Sequence, residues 1–165
     1  MEELAMGMCA CYQWADKEQI DSLIDSDDYF EAIEEMQEED DDGVCDIDKL
    51  WDGLHYLLTK KTEPDGNDII SIAIFGEHII SSEDMISYIL PERTAEIAET
   101  LGKFDLEAAL KTYSGKDFSA KEIYPDIWDE DPMDIKDELR EAFGELRVFY
   151  AAAASCGKGV IVSIY

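Results

Sequence analysis

The 165-residue sequence predicts an α+β fold in a single domain, residues 1–165. A small sheet contains the N- and C-terminal strands, and several helices cover it. Two observations predict this arrangement: the chain begins and ends with short apolar stretches typical of strands, and most of the sequence between them has the 3.6-residue apolar period of helices. No internal repeat or interdomain linker is visible, and the length suits one domain.

The two predicted terminal strands are the clearest β elements. The first runs from Met6 to Trp14, and both of its alternating faces are mostly small or apolar. That pattern suits a strand that is covered on both sides. The last runs from Val160 to Tyr165 and is rich in β-branched residues, which favour strands. We expect these two strands to lie in one sheet.

Amphipathic helices are predicted where apolar stripes follow capping residues. Asp16 can cap the first helix, and a second follows from Tyr29. Pro91 suits the first turn of a later helix, and Asp105 can cap a short one that stops at Gly115. Residues 117–132 are expected to be irregular. The longest helix comes last, and one stripe of it carries Ile135, Leu139, Phe143, Leu146, Tyr150 and Ala153.

Residues 46–59 have the clearest helical period in the chain and are predicted to form a central buried helix. On a helix of about 100° per residue, its apolar residues fall within one stripe. These residues are Ile47, Leu50, Trp51, Leu54, Leu57 and Leu58.

Two further segments are less regular. Ile69–Phe75 is apolar and β-branched, which predicts a buried strand closed by Gly76. Ser81–Leu90 fits either a short helix or a short strand near Tyr88.

The net charge is extreme. There are 41 Asp and Glu residues against 13 Lys and Arg, which gives −28. Nucleic acids and anionic membranes are excluded as partners, because phosphates would be repelled. Residues 1–59 alone carry −17. This negative field favours a basic protein partner, the attraction of cations, or simple solubility.

The expected compartment is the cytoplasm. The chain starts with acids where a signal peptide needs basic residues, and it has no apolar run of the roughly 20 residues that span a bilayer. The four cysteines lack the usual zinc-ligand spacing. They are interpreted as small, reduced, buried thiols. No metal and no cofactor is predicted.

The central helix supplies the candidate catalytic residues, Asp52 and His55. They are three residues apart, so their side chains can meet on a helix. A carboxylate in that position would orient the imidazole and raise its basicity, as in a histidine that acts as a general base. The alternative is a structural pair on the polar border of an amphipathic helix.

Aromatic residues near this pair supply the candidate binding residues. With Asp126, they could line a cleft that has apolar walls and convergent polar groups. The alternative is that the indoles and phenols are core residues whose polar atoms are satisfied internally. The candidates are Trp51, Tyr56, Tyr124, Asp126 and Trp128.

Two functions remain open. The signatures of serine hydrolases, phosphate-binding loops, dinucleotide-binding folds and zinc proteases are absent. The first hypothesis is therefore a non-catalytic acidic protein that binds a basic protein partner, with neutralisation of that partner as one role of the binding. The second is a small hydrolase or lyase that uses His55, oriented by Asp52, in an aromatic-lined cleft.

Several sequence islands resemble the YfbM-like family of uncharacterised bacterial cytosolic proteins. The two specific ones are residues 46–59, with Trp-x3-His-Tyr-Leu-Leu, and residues 122–128, with Ile-Tyr-Pro-x-Ile-Trp. Met6–Cys9, Ile74–Gly76 and the Pro91-Glu92 pair are weaker matches. The resemblance covers nearly the whole chain and implies a single α+β domain, but it supplies no activity.

The chain departs from the family pattern at two places. Relatives have a second glycine where this chain has Glu77, and a glycine- and aromatic-rich stretch where it has Ser81–Leu90. If that loop shapes a pocket in relatives, the pocket in this chain is altered.

Overall fold

The computed structural model describes residues 8–39, 43–81, 83 and 85–165. Within these ranges the chain forms five strands and eight helices in one α+β domain. The strands are β1 (Ala10–Ala15), β2 (Val44–Asp48), β3 (His78–Ser81), β4 (Ile86–Ile89) and β5 (Gly159–Ile164). The helices are α1 (Lys17–Ile24), α2 (Tyr29–Glu39), α3 (Trp51–Thr59), α4 (Ile69–Phe75), α5 (Pro91–Lys103), α6 (Leu106–Lys111), α7 (Gly115–Ala120) and α8 (Pro132–Ser155).

The strands form one antiparallel sheet in the order β2-β1-β5-β4-β3. β1 and β5 pair along their whole lengths, from Ala10 opposite Ile164 to Ala15 opposite Gly159. This pairing confirms that the two terminal strands share one sheet. The first strand starts later than predicted, and the part of the prediction before Met8 lies outside the described residues.

Helices cover both faces of this sheet, so all six residues of β5 are buried. Val160 and Val162 point to the first face, where α3 to α8 build the larger core. Ile161 points to the second face, which α1 and α2 cover with a smaller core. The prediction of α1 is confirmed, and its N-cap Asp16 accepts a hydrogen bond from the Gln19 N–H at 2.9 Å.

The long last helix, α8, is also confirmed. Pro132 occupies its first turn, and the Asp131 carboxylate accepts the Met133 N–H at 2.9 Å. No helix in the described ranges combines the length and apolar character needed to cross a bilayer. All six residues of the predicted α8 stripe are buried: Ile135, Leu139, Phe143, Leu146, Tyr150 and Ala153.

The prediction of the central helix is wrong at its start, because residues 44–48 form strand β2. Cys45 and Ile47 are buried there, whereas Asp46 and Asp48 are exposed. A turn follows, in which Asp48 has a positive φ of 55°, and the helix begins only at Trp51. Ile47 lies four residues before Trp51, so strand alternation and helical period both place it inward.

Residues 69–75 form helix α4 and not the predicted strand. Asp68 caps this helix by accepting the Ile70 N–H at 2.9 Å. A short apolar run that is buried on most sides has no period that separates a helix from a strand. Gly76 ends the helix with a φ of 89°, and a Cβ there would lie 2.4 Å from the Ser87 Cβ.

The structure also decides the predictions for two other segments. Of the alternatives for Ser81–Leu90, the strand is correct, since Ile86–Ile89 forms β4 and pairs with β5. The expected irregular stretch 117–132 begins inside α7, a helix that Ser114 caps by accepting the Asp117 N–H.

Gly53 lets the α3 backbone approach the Trp128 indole. A Cβ on Gly53 would lie 2.4 Å from Cη2 of Trp128. That indole cannot easily retreat, because its Nε1–H donates to the Ile123 carbonyl at 2.7 Å and its ring packs 4.8 Å from the Phe118 ring. Gly144, inside α8, has no atom within 4 Å of the same position.

We therefore predict opposite effects for two glycine-to-alanine substitutions. Gly53→Ala should lower the free energy of unfolding by about 1–3 kcal/mol, because it overpacks a buried contact. Gly144→Ala should raise that free energy by about 0.5–1 kcal/mol, because alanine is the better helix former. Urea unfolding of both variants measures the difference, and equal effects would contradict this packing.

Candidate functional site

Trp51 and Tyr124 hold the chain immediately before β1. The Trp51 indole N–H donates to the Met8 carbonyl at 3.0 Å, and the Met8 N–H donates to the Tyr124 hydroxyl at 3.1 Å. The two rings lie 5.4 Å apart. Both polar groups are therefore satisfied internally, as expected for core aromatics.

Of the other predicted binding residues, Trp128 and Tyr56 are buried and Asp126 is not. Trp128 is only 3% exposed. The Tyr56 hydroxyl donates to the Asp117 carboxylate at 2.7 Å, which raises the pKa of Tyr56. Asp126 is exposed. The structure thus brings Trp51 and Tyr124 together, whereas Trp128 packs separately against Gly53 of α3 and the Phe118 ring.

His55 is fully buried between α3 and α4, one turn after Trp51, and both of these rings pack on Phe75. Its Nε2 is hydrogen-bonded to the Ser71 hydroxyl, whereas its Nδ1 has no partner. The ring packs 4.8 Å from that of Phe75. Burial lowers the pKa of His55 to about 4; the Asp68 carboxylate opposes this shift and Lys61 adds to it. The imidazole is therefore neutral at pH 7.

The predicted Asp52–His55 pair does not form. The Asp52 carboxylate accepts the backbone N–H of Tyr124 at 2.9 Å, and burial raises its pKa. His55 instead uses Nε2 toward Ser71 and leaves Nδ1 unpaired. Spacing on a helix makes two residues neighbours, but the elements packed on each side decide where their polar atoms point.

A cleft of about 390 Å³ lies on the other side of Ser71 from His55. We call it the α4–β3 cleft. α4 forms one wall with Ser71, Ile72 and Phe75, and the sheet contributes Ile79 from β3 and Ser87 from β4. Its volume lies toward the lower end of the range for small-ligand pockets. Sequence reasoning missed this cleft, because residues 69–75 were predicted as a strand.

Two buried tyrosines fix the position of α4. The Tyr12 hydroxyl donates to the Ile74 carbonyl at 2.8 Å, and the Tyr150 hydroxyl donates to the Ala73 carbonyl at 2.5 Å. Both carbonyls are in the last turn of α4, where a helix leaves acceptors without partners. Burial raises the pKa of both tyrosines well above its usual value, so they remain donors. The α4 wall is therefore rigidly attached to the core.

Ion pairs hold the two ends of the cleft. Lys61 donates to Asp65 at 2.7 Å and to Asp68 at 3.0 Å, which ties the end of α3 to the cap of α4. At the other end Arg93 donates twice to Glu77, at 2.9 and 3.1 Å. The charged residues that line the cleft itself are acidic, Asp65 and Glu77.

The α1–α2 surface, residues 16–38, is the second candidate site. It contains ten acids and one lysine. Among the described residues its acids form two ion pairs, Lys17–Asp21 at 3.4 Å and Lys158–Asp16 at 4.0 Å. A groove of about 370 Å³ runs between α1 and α2, with Leu23, Ala32 and Met36 at its apolar part and Asp16, Glu18 and Glu35 at its acidic part.

The prediction of buried thiols holds only for Cys45, because Cys9 and Cys11 are half-buried and Cys156 is exposed. Burial raises the pKa of Cys9 and of Cys11 to about 11 and that of Cys45 to about 12. All four cysteines lie within the described residues and form no disulfide. Over the same ranges, no cluster of three or more His, Cys, Asp or Glu side chains is placed to hold a metal ion.

The buried His55 predicts an acid-dependent loss of stability. Its pKa is about 4 when folded and about 6.5 when unfolded, so the unfolded chain binds the proton more tightly. The contribution is fully present above pH 6.5, falls as the pH drops toward 4 and is then constant; it amounts to about 3 kcal/mol. His55→Asn should flatten the dependence of unfolding free energy on pH between 6.5 and 4, measured by urea titration.

The matched control is His78→Gln, since His78 is the other histidine and its side chain is 46% exposed. This variant should keep the wild-type slope. A wild-type slope in His55→Asn as well would show that His55 does not carry the effect.

Comparison with known proteins assigns the chain to a family. The model of the family described as a domain of unknown function (DUF1877) matches residues 6–163. Protein YfbM of Escherichia coli strain K12 is 31% identical over 134 residues, which span 74% of this chain and 75% of YfbM. The crystal structure of YfbM from Escherichia coli, a protein of unknown function, has the same fold, with a TM-score of 0.78 and 24% identity over 96% of this chain and 100% of that chain. The resemblance found in the sequence is thereby confirmed, and the chain belongs to the DUF1877 family.

Proposed function

We propose that this protein is a non-catalytic binding protein that docks a basic protein partner on the α1–α2 surface. The observation that carries the proposal is the uncompensated charge of that surface. Ten acids face one lysine within residues 16–38, and the described residues offer them two ion pairs. A basic partner would supply the missing cations and would be steered to the surface.

The arrangement of acids on α2 supports a role beyond solubility. Glu31, Glu34, Glu35 and Glu38 are all exposed and are spaced i, i+3, i+4 and i+7, so they share one helix face. Like charges at these spacings destabilise a helix by roughly 0.2–0.5 kcal/mol per pair. Acids scattered around the helix would keep the protein soluble without this cost.

The groove between α1 and α2 supports a cationic side chain as the docked group. Lysine and arginine have an apolar stem and a charged head. The stem fits against Ala32 and Met36, and the head reaches Glu18 and Glu35 at the acidic part of the groove.

The alternative function, acid–base catalysis by His55 and Asp52, has less support. Asp52 is engaged by the Tyr124 backbone, and the imidazole is completely buried with one nitrogen bonded to Ser71. A general base must be within reach of the proton that it abstracts. Neither residue lines the α4–β3 cleft.

We further propose the cytoplasm as the compartment in which this binding occurs. Four cysteines without a disulfide, three of them with raised pKa values, suit a reducing environment.

Charge-neutralising variants test the proposed function. The triple variant Glu31→Gln, Glu34→Gln, Glu38→Gln removes three exposed acids at i, i+3 and i+7 from α2. The matched control is Glu138→Gln, Glu141→Gln, Glu145→Gln, which removes three exposed acids at the same spacing from α8. We expect a basic protein captured from native lysate at low salt by wild type to be lost at least tenfold with the α2 triple and retained with the α8 triple.

The salt dependence of capture provides the second measurement, because exposed charges are screened beyond about 8 Å at physiological ionic strength. Capture by wild type should fall steeply as salt rises. Equal losses for the two triples would indicate diffuse charge attraction, and the absence of any salt-sensitive basic partner would refute the proposed function. Thermal melting of both triples checks that they fold.

A further inference from the structure

Strand β3 is an edge strand of four residues, and its pairing with β4 is irregular between Ile79 and Ser81. It is the last strand of the sheet, and among the described residues only β4 pairs with it. Edge strands are commonly shielded by lysine, proline or covering elements. β3 has neither of those residues in its sequence, His-Ile-Ile-Ser, and Ile79 is 71% exposed.

The other edge strand, β2, shows the contrast. Its exposed positions carry the carboxylates of Asp46 and Asp48, and α8 packs against it. Charges pointing away from the sheet discourage the addition of a further strand. The two edges of the same sheet therefore differ, and β3 is the one open to pairing.

The α4–β3 cleft lies beside this open edge. Ile79 is at its mouth, while Ile72 and Phe75 of α4 form its apolar wall. Side chains of a strand alternate between the two faces of a sheet. A segment added next to β3 would thus direct every second side chain toward the first face, where the cleft lies.

The charge of the protein determines which kind of peptide segment would pair with β3. The charged residues lining the cleft, Asp65 and Glu77, are already paired with Lys61 and Arg93. The preference for a basic segment therefore comes from the charge of −28 on the whole protein. The apolar wall selects an apolar side chain in the cleft itself. Strand addition combines backbone hydrogen bonds for affinity with a pocket for alternate side chains.

We infer that β3 accepts an extended peptide segment of alternating apolar and basic residues, which adds a sixth strand to the sheet and places an apolar side chain in the α4–β3 cleft. This inference is independent of the α1–α2 surface, which lies on the second face of the sheet.

A synthetic hexapeptide of alternating lysine and valine, acetylated, amidated and fluorescently labelled, is the probe. The control peptide has the same sequence with N-methylated backbone amides at alternate positions, so it keeps the charge but loses strand hydrogen bonds. Fluorescence anisotropy gives both affinities, and amide hydrogen exchange locates the bound peptide on the protein.

Two neutral variants provide matched controls. Ile79→Gln changes the mouth of the cleft, and Val148→Gln changes an equally exposed residue (67% exposed) in the groove between β2 and α8. Both side chains are exposed, so both variants should fold. Neither variant alters the net charge.

We expect the unmodified peptide to bind at least tenfold more tightly than the N-methylated one and to slow exchange at residues 78–81. Ile79→Gln should weaken binding about tenfold, and Val148→Gln should not. Four outcomes would each overturn the inference. The two peptides bind with equal affinity, the two variants have equal effects, protection is confined to residues 17–38, or no binding occurs at 1 mM peptide. The triple α2 variant of the proposed function should bind this peptide normally, so the two proposals fail separately.

Discussion

The burial of β5 on both faces is the constraint on which the rest of the structure depends. A central strand with no exposed residue requires a cover on each side of the sheet. α3 to α8 provide one cover, and α1 with α2 provides the other. Each of the two N-terminal helices needs only one apolar stripe for this task. Their remaining surface carries no packing requirement, and that is where the unpaired acids of the α1–α2 surface lie.

The same sheet also determines the α4–β3 cleft. Tyr12 reaches from β1 and Tyr150 from α8 to the last carbonyls of α4. Leaving such buried groups unpaired would cost about 1–3 kcal/mol each. These bonds hold α4 at a fixed position above β5, while the sheet continues past it to β4 and β3. The cleft is the space between a helix held by the core and the outer strands, so its shape depends on buried hydrogen bonds more than on its loops.

The sequence was informative where period and caps agreed. The α8 stripe repeats over five turns, and the β1–β5 pair follows from two separate apolar stretches, so those elements were predicted correctly. The strand prediction for Ile69–Phe75 was wrong because a short run of six apolar residues and one serine has the same composition in a buried helix and in a buried strand. The expected Asp52–His55 contact is missing for a different reason. His55 pairs with Ser71, a single serine inside that apolar run, and no local pattern identifies a partner 16 residues away on another helix. The core interpretation of Trp51 and Trp128 succeeded because large aromatics with internally bonded indoles are the usual case.

The two proposed surfaces act over different distances, so they would contribute differently to binding. Attraction to the α1–α2 surface acts over roughly a Debye length and weakens with salt. Backbone pairing at β3 needs contact at about 3 Å and a continuous extended segment, and it is much less sensitive to screening. Under the two proposals, a basic partner would be drawn to the protein by the first surface whatever its conformation, whereas the second would discriminate by shape and hydrogen bonding. Specificity, if one partner uses both, would lie at β3, where the chain carries an exposed isoleucine and no protecting charge.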